Sequence, residues 1–105
     1  MIVIECPEGL RSDLSESLRI LLSDQIKKNK YKIVIELSQT KYIDSSGLGA
    51  IVSQIATTRS NKGDIRIASA GESIEQLLQI THLNKIIKCY KNYPDAVQSF
   101  EKTDL

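Results

Sequence analysis

The sequence predicts a small α/β domain built on a mostly parallel sheet of about four strands, with four helices. Three observations carry that prediction. Strand-like and helix-like segments alternate four times along the 105 residues. The connectors between them are short. Ile33, Val34 and Ile35 stand in unbroken succession, the pattern of a strand covered on both faces. Parallel neighbours require a crossover connection, and a helix is the usual one.

The elements follow in order. Ile2, Val3 and Ile4 are β-branched and bounded by Pro7 and Gly9, which suits a short strand ending at the proline. Ser12 or Asp13 is placed to cap a helix, and Leu14, Leu18, Leu21, Leu22 and Ile26 give it an apolar stripe. Lys27, Lys28 and Lys30 close that helix. They read either as a basic docking patch or as a solvated terminus complementing the helix dipole, and the second is expected. Residues 31–37 form the clearest strand. A helix is predicted over about residues 45–59, with Leu48, Ile51, Val52 and Ile55 inward and Gly63 just past its end.

Residues 64–69 alternate as a third strand. Gly71-Glu72-Ser73 opens a third helix, with Ile74, Leu77, Leu78 and Ile80 inward. Residues 86–90 supply a fourth strand. Pro94 begins a last helix, whose inner face is Ala96, Val97 and Phe100. The chain reads as one domain, 1–105, with 101–105 expected to fray.

Composition removes several function classes. Hydrophobic residues make up 41%, with one Phe, four Tyr and no Trp, so the core must be single and aliphatic. A net charge of +1 offers no general field for nucleic acid or an anionic membrane. No apolar run approaches the roughly 20 residues needed to span a bilayer. The opening residues lack a basic signal-peptide region, so a soluble cytoplasmic protein is expected. Cys6 and Cys89 form no CxxC pair and read as buried free thiols.

Catalysis has little to work with. His82 is the sole histidine, in a turn, where a surface or capping role is expected. No cluster has metal-ligand spacing, so no metal or other cofactor is expected. Glu72 and Glu75 read as a solvated acidic first turn. Gly47-Leu48-Gly49 lacks the remaining elements of a phosphate-binding loop.

What remains is the corner Asp44-Ser45-Ser46-Gly47 between strand and helix. Asp and Ser are preferred helix N-caps, so the corner has a purely structural reading. Three features add a functional one. The corner lies beyond the carboxyl end of the central strand, where α/β sheets dock ligands and partners. The helix behind it has no Lys, Arg, Asp or Glu from Ser45 through Thr58, in a chain that is 26% charged. Its outward positions are read as Ser46, Gly49, Ala50, Ser53, Gln54 and Thr57, small or uncharged residues that permit close approach. Either a partner or a neighbouring helix covers them. Finally, a phosphate on a serine at a helix N-terminus is stabilised locally, yet it disrupts an interface packed over it.

The segments Lys32-Ile33-Val34-Ile35-Glu36-Leu37-Ser38 and Tyr42-Ile43-Asp44-Ser45-Ser46-Gly47-Leu48-Gly49 resemble the signature of STAS domains, more narrowly of bacterial anti-sigma factor antagonists. The likeness continues through Gly63-Asp64-Ile65-Arg66-Ile67 and Thr81-His82-Leu83-Asn84-Lys85-Ile86-Ile87, covering about residues 10–100. The resemblance implies a non-enzymatic cytoplasmic STAS-like domain that binds an anti-sigma factor serine/threonine kinase and so releases a sigma factor. It implies phosphorylation at Ser45, reversed by a PP2C-type phosphatase, with Asp44, Ser46 and Gly47 supporting the site. Partner contacts are expected at Gly9, Ser12, Gly49, Ala50, Ser53 and Thr57. The alternative is a STAS interaction module in another signalling assembly, without phosphorylation. Many members have an additional first strand and an acidic residue after the glycine near position 9. Here one strand precedes Gly9-Leu10-Arg11-Ser12, which leaves a sheet edge open and makes a monomer or weak homodimer the expected state.

Overall fold

A computed structural model of the chain describes residues 1–6, 8–10 and 12–103, the side chains of 10, 12–14, 102 and 103 excepted. The chain runs β1 (Ile2–Glu5), β2 (Gly9–Leu10), α1 (Ser12–Lys27), β3 (Lys32–Glu36), β4 (Tyr42–Ile43), α2 (Ser45–Val52), α3 (Ile55–Ser60), β5 (Asp64–Ala68), α4 (Glu72–Ile80), a 3-10 turn (Leu83–Lys85), β6 (Cys89–Tyr90) and α5 (Tyr93–Thr103). The main sheet has the order β1-β3-β5-β6 and every pairing in it is parallel. This is the α/β architecture expected from the alternation.

β3 and β5 occupy the centre and are covered on both faces, β3 through its unbroken apolar run and β5 with Asp64 and Arg66 paired on its second face. Ile33 pairs with Ile65 and Ile35 with Ile67 in register. On that face they meet Leu18 and Leu22 of α1, Ile51 of α2, and Ile74 and Leu78 of α4, all buried. Burying each such aliphatic side chain stabilises the fold by about 1.5–3 kcal/mol. The opposite face holds Val34 and Ala68 against Ala96 and Phe100 of α5. The expected inner face of the last helix is therefore the observed one.

The second face also buries charge. Arg66 donates from Nε to Asp64 Oδ2 at 3.2 Å and from Nη1 to Ser99 Oγ at 2.6 Å. Its guanidinium lies 4.0 Å from the centre of the Phe100 ring. Arg59 reaches the other Asp64 oxygen at 2.9 Å. Asp64 is thus neutralised from both sides, which makes its burial tolerable.

Several expected positions come out differently. Leu21, Val52 and Ile80 are turned toward solvent, Ile80 being 76% exposed. Leu18 and Leu22 fill the inward row of α1, and Leu21 falls to one side of it. Ile80 is the last residue of α4. Ile86 is not in a strand: its amide bonds the Leu83 carbonyl at 2.9 Å, closing the 3-10 turn. The fourth strand is accordingly only Cys89–Tyr90. Cys6 is buried, but Cys89 is exposed on that short edge, and both thiols are free. Pro7 and Arg11, and the side chains of Asp13 and Leu14, lie outside the described residues.

The helix expected over 45–59 is interrupted. Ser53 Oγ donates back to the Ala50 carbonyl at 3.0 Å, and Gln54 N bonds Ile51 three residues back instead of four. That local tightening ends α2, and α3 restarts from Gln54. Among the described residues, no helix is long and apolar enough to cross a membrane, and no group of three metal-ligating side chains gathers.

Candidate functional site

The corner is assembled from two distant segments. After β3 the chain turns through residues 37–41 and enters β4, which pairs in parallel with β2: Gly9 with Tyr42 and Leu10 with Ile43. This small second sheet stands beyond the carboxyl ends of β1 and β3. Lys41 N bonds the Glu8 carbonyl at 2.7 Å, and Ser73 Oγ at the start of α4 donates to the Lys41 carbonyl at 3.1 Å. Three segments of the chain therefore fix the backbone leading into the corner.

Asp44 is the N-cap of α2. Its backbone is extended, at φ −91° and ψ −179°, and its Oδ1 accepts from the Gly47 amide at 2.9 Å. The structure assigns the cap to Asp44 and leaves Ser45 as the first helical residue, exposed to solvent. Ser46 is half-buried and Gly47 buried. The Ser45 hydroxyl is consequently presented at the positive end of a short helix dipole, beside a carboxylate already committed to the helix.

The surface behind Ser45 is shaped by α1, which packs along α2. Arg19 of α1 crosses over it, with Nη1 3.4 Å from Ser53 Oγ and Nε 3.6 Å from Glu16. A Cβ built on Gly49 meets only Arg19 Nη2, at 4.0 Å, which is ordinary contact. No packing within the described chain therefore demands glycine there.

Among the residues expected to meet a partner, Gly49 is half-exposed, and Ser53 and Thr57 are exposed. Gln54 is half-buried. Ala50 must be removed from that surface: it is 0% exposed, turned into the core beside Ile51. Gly9 must be removed as well, because it is buried beneath the Tyr42 ring, whose atoms come within 2.6 Å of a built Cβ. The side chain of Ser12 lies outside the described residues. Val52, expected inside, is 36% exposed and joins the outward strip. Arg19, Glu16 and Tyr42 escaped the sequence reading, since nothing local marks which helix or ring will cover α2 and Gly9.

The STAS domain family model matches residues 2–96. The chain belongs to the STAS domain family. Within it, a Thermotoga neapolitana protein described as an anti-sigma factor antagonist homologue is 33% identical over 76 residues, 72% of this chain and 67% of that one. A Paenibacillus polymyxa anti-sigma F factor antagonist is 24% identical over 102 residues, 96% of this chain and 87% of its own. The crystal structure of a Thermotoga maritima protein described as an anti-sigma factor antagonist superimposes with a TM-score of 0.85. It is 27% identical and covers 94% of this chain, which in turn covers 87% of it. The STAS assignment agrees with the α/β fold.

Proposed function

We propose that this STAS domain is an anti-sigma factor antagonist without catalysis of its own. It binds a kinase-type anti-sigma factor through the uncharged outer strip of α2 and α3, and phosphorylation of Ser45 releases that partner. The observation that carries the reading is the exposed Ser45 hydroxyl at the first position of a helix capped by Asp44. The names of the Thermotoga and Paenibacillus relatives support the antagonist role.

Two physical points support the docking strip. A glycine in a helix costs up to about 1 kcal/mol relative to alanine, yet Gly49 has room for a methyl group. A close-approaching partner accounts for the glycine. Val52, Ser53 and Thr57 also offer a face free of their own charge, with Arg19 reaching Ser53 from α1.

The switch is electrostatic. A phosphoserine adds about −1.5 to −2 charge beside Asp44, at the edge of the strip. The amides of the first turn solvate it within the domain, but a partner seated over the corner must desolvate it. A penalty of about 3 kcal/mol weakens binding roughly a hundredfold. A PP2C-type phosphatase restores the binding state. The test is incubation with the cognate kinase and ATP, followed by peptide mass mapping and binding measurements. Phosphate is expected on Ser45, and Ser45→Asp is expected to lose the partner. Phosphate on another residue, or full binding by Ser45→Asp, refutes the switch.

A further inference from the structure

We propose that the paired turns after α1 and α3, at the opposite end of the sheet from Ser45, form a binding site for a compact, multiply charged phosphate anion. An open cavity of about 380 Å³ lies there, lined chiefly by Asn29, Lys30, Tyr31, Lys32, Asn61 and Lys62. No carboxylate lines it.

Both turns are built the same way. In the first, Asn29 is left-handed at φ 63°, Lys30 N bonds the Gln25 carbonyl at 2.9 Å, and Asn29 N bonds Ile26 at 2.9 Å. In the second, Lys62 is left-handed at φ 65°, Gly63 N bonds the Thr58 carbonyl at 2.8 Å, and Lys62 N bonds Arg59 at 3.2 Å. These are twin Schellman caps. They are locked together: Asp64 N bonds the Tyr31 carbonyl at 2.9 Å, and Gly63 lies so close to Tyr31 that a Cβ would sit 2.0 Å from that oxygen. Lys30 and Lys62 therefore project from one rigid frame.

Lys62 is the telling residue. The left-handed cap position is normally glycine, because a side chain there is strained. A lysine persists at it although a glycine follows immediately. The ammonium stands at a position of local conformational cost, and an observed strain of this kind points toward function. Dipole complementarity alone does not account for the charge. Two helix C-termini together present about one negative charge, whereas Lys30, Lys32 and Lys62 around the cavity present three positive ones. Lys27 already stands in the last turn of α1. Lys32 has an interaction of its own. Among the described residues neither Lys30 nor Lys62 has an ion pair.

The donor set selects the ligand. The Tyr31 hydroxyl donates to Asn29 Oδ1 at 3.0 Å, which leaves the Asn29 amide group as a further donor. Ammonium and carboxamide donors around a concave floor suit several phosphate oxygens at once. Concavity favours a small ligand over an extended acidic chain.

The test is titration of the isotope-labelled protein with sodium tripolyphosphate at constant ionic strength, followed by amide NMR, with sodium chloride as control. Saturable shifts are expected at residues 29–32 and 61–64, with residues 44–47 unmoved. Lys62→Gly relieves the left-handed strain, so it should melt no lower than the parent while binding tripolyphosphate at least tenfold more weakly. Lys30→Gln should weaken it with unchanged melting. Shifts that follow ionic strength alone, or variants that bind as tightly as the parent, overturn the site. Capture by a polyglutamate peptide or by phosphatidylglycerol vesicles, without response to tripolyphosphate, overturns the ligand class. None of these readouts depends on Ser45 or on an anti-sigma factor.

Discussion

Replacing Asp44 tests how the corner is held. Asp44→Ala deletes the 2.9 Å bond from the Gly47 amide to Oδ1 and leaves that donor without its cap. Losing an N-cap side chain costs about 1 kcal/mol, and losing a favourable charge at a helix N-terminus costs about 0.3–1 kcal/mol more. The sum is about 1–2 kcal/mol. In a domain of this size 1 kcal/mol corresponds to about 4 °C in Tm, so Asp44→Ala should melt about 4–8 °C below the parent. Asp44→Asn keeps an oxygen for the cap and loses only the charge, so its loss should stay at or below about 4 °C. Calorimetry or thermal circular dichroism at neutral pH and low salt separates the two. If Asp44→Asn falls as far as Asp44→Ala, the cap bond is not what holds the corner. If Asp44→Ala melts with the parent, packing of α2 against α1 suffices without it.

Three further outcomes are expected. Gly63→Ala forces a methyl group against the Tyr31 backbone at 2.0 Å and should cost about 3 kcal/mol, whereas Gly9→Ala meets only the movable Tyr42 ring tip and should cost about 1 kcal/mol. Urea denaturation ranks them, and a reversed order contradicts the geometry. Arg66→Ala removes one of the two cations on buried Asp64, leaving only Arg59, together with the contacts to Ser99 and Phe100, for a loss of about 3 kcal/mol. Arg66→Lys should recover little by the same assay, since an ammonium cannot occupy both Nε and Nη1 positions. Burial, with Glu36 nearby, pushes the Cys6 thiol from 9.0 up to about 11. An unfolded chain ionises this thiol first as pH rises, so Cys6 should lower stability between about pH 9 and 11. A Cys6→Ala variant should show a flatter pH dependence of stability across that window. At pH 8, iodoacetamide should reach exposed Cys89 while Cys6 reacts only on unfolding, as peptide mapping would report.

Much of the framework was legible because its causes are local. The run Ile33-Val34-Ile35 announces a strand with two covered faces, and Asp44 ahead of Ser45 announces a helix start. The β2–β4 pair was not legible: each strand has two residues and no periodicity, and it exists because the chain returns Gly9 beside Tyr42. The break after Val52 was hidden for a similar reason. A single serine hydroxyl bonding back to Ala50 ends the helix, and serine at that position is compatible with either outcome.

The sequence by itself determined the alternation of elements, the parallel sheet and the chemical character of the corner, because periodicity and capping act within a few residues. Only the tertiary structure decided which small residues face out. Ala50 and Gly49 are neighbours of similar size, yet one points into the core and the other lies beneath Arg19 at the surface. The same holds for the lysines. Lys30 and Lys62 are 32 positions apart in sequence, and they line one cavity because β3 and β5 pair in register and bring two helix ends together. Exposure and juxtaposition depend on partners contributed from elsewhere in the chain, and no local pattern contains them.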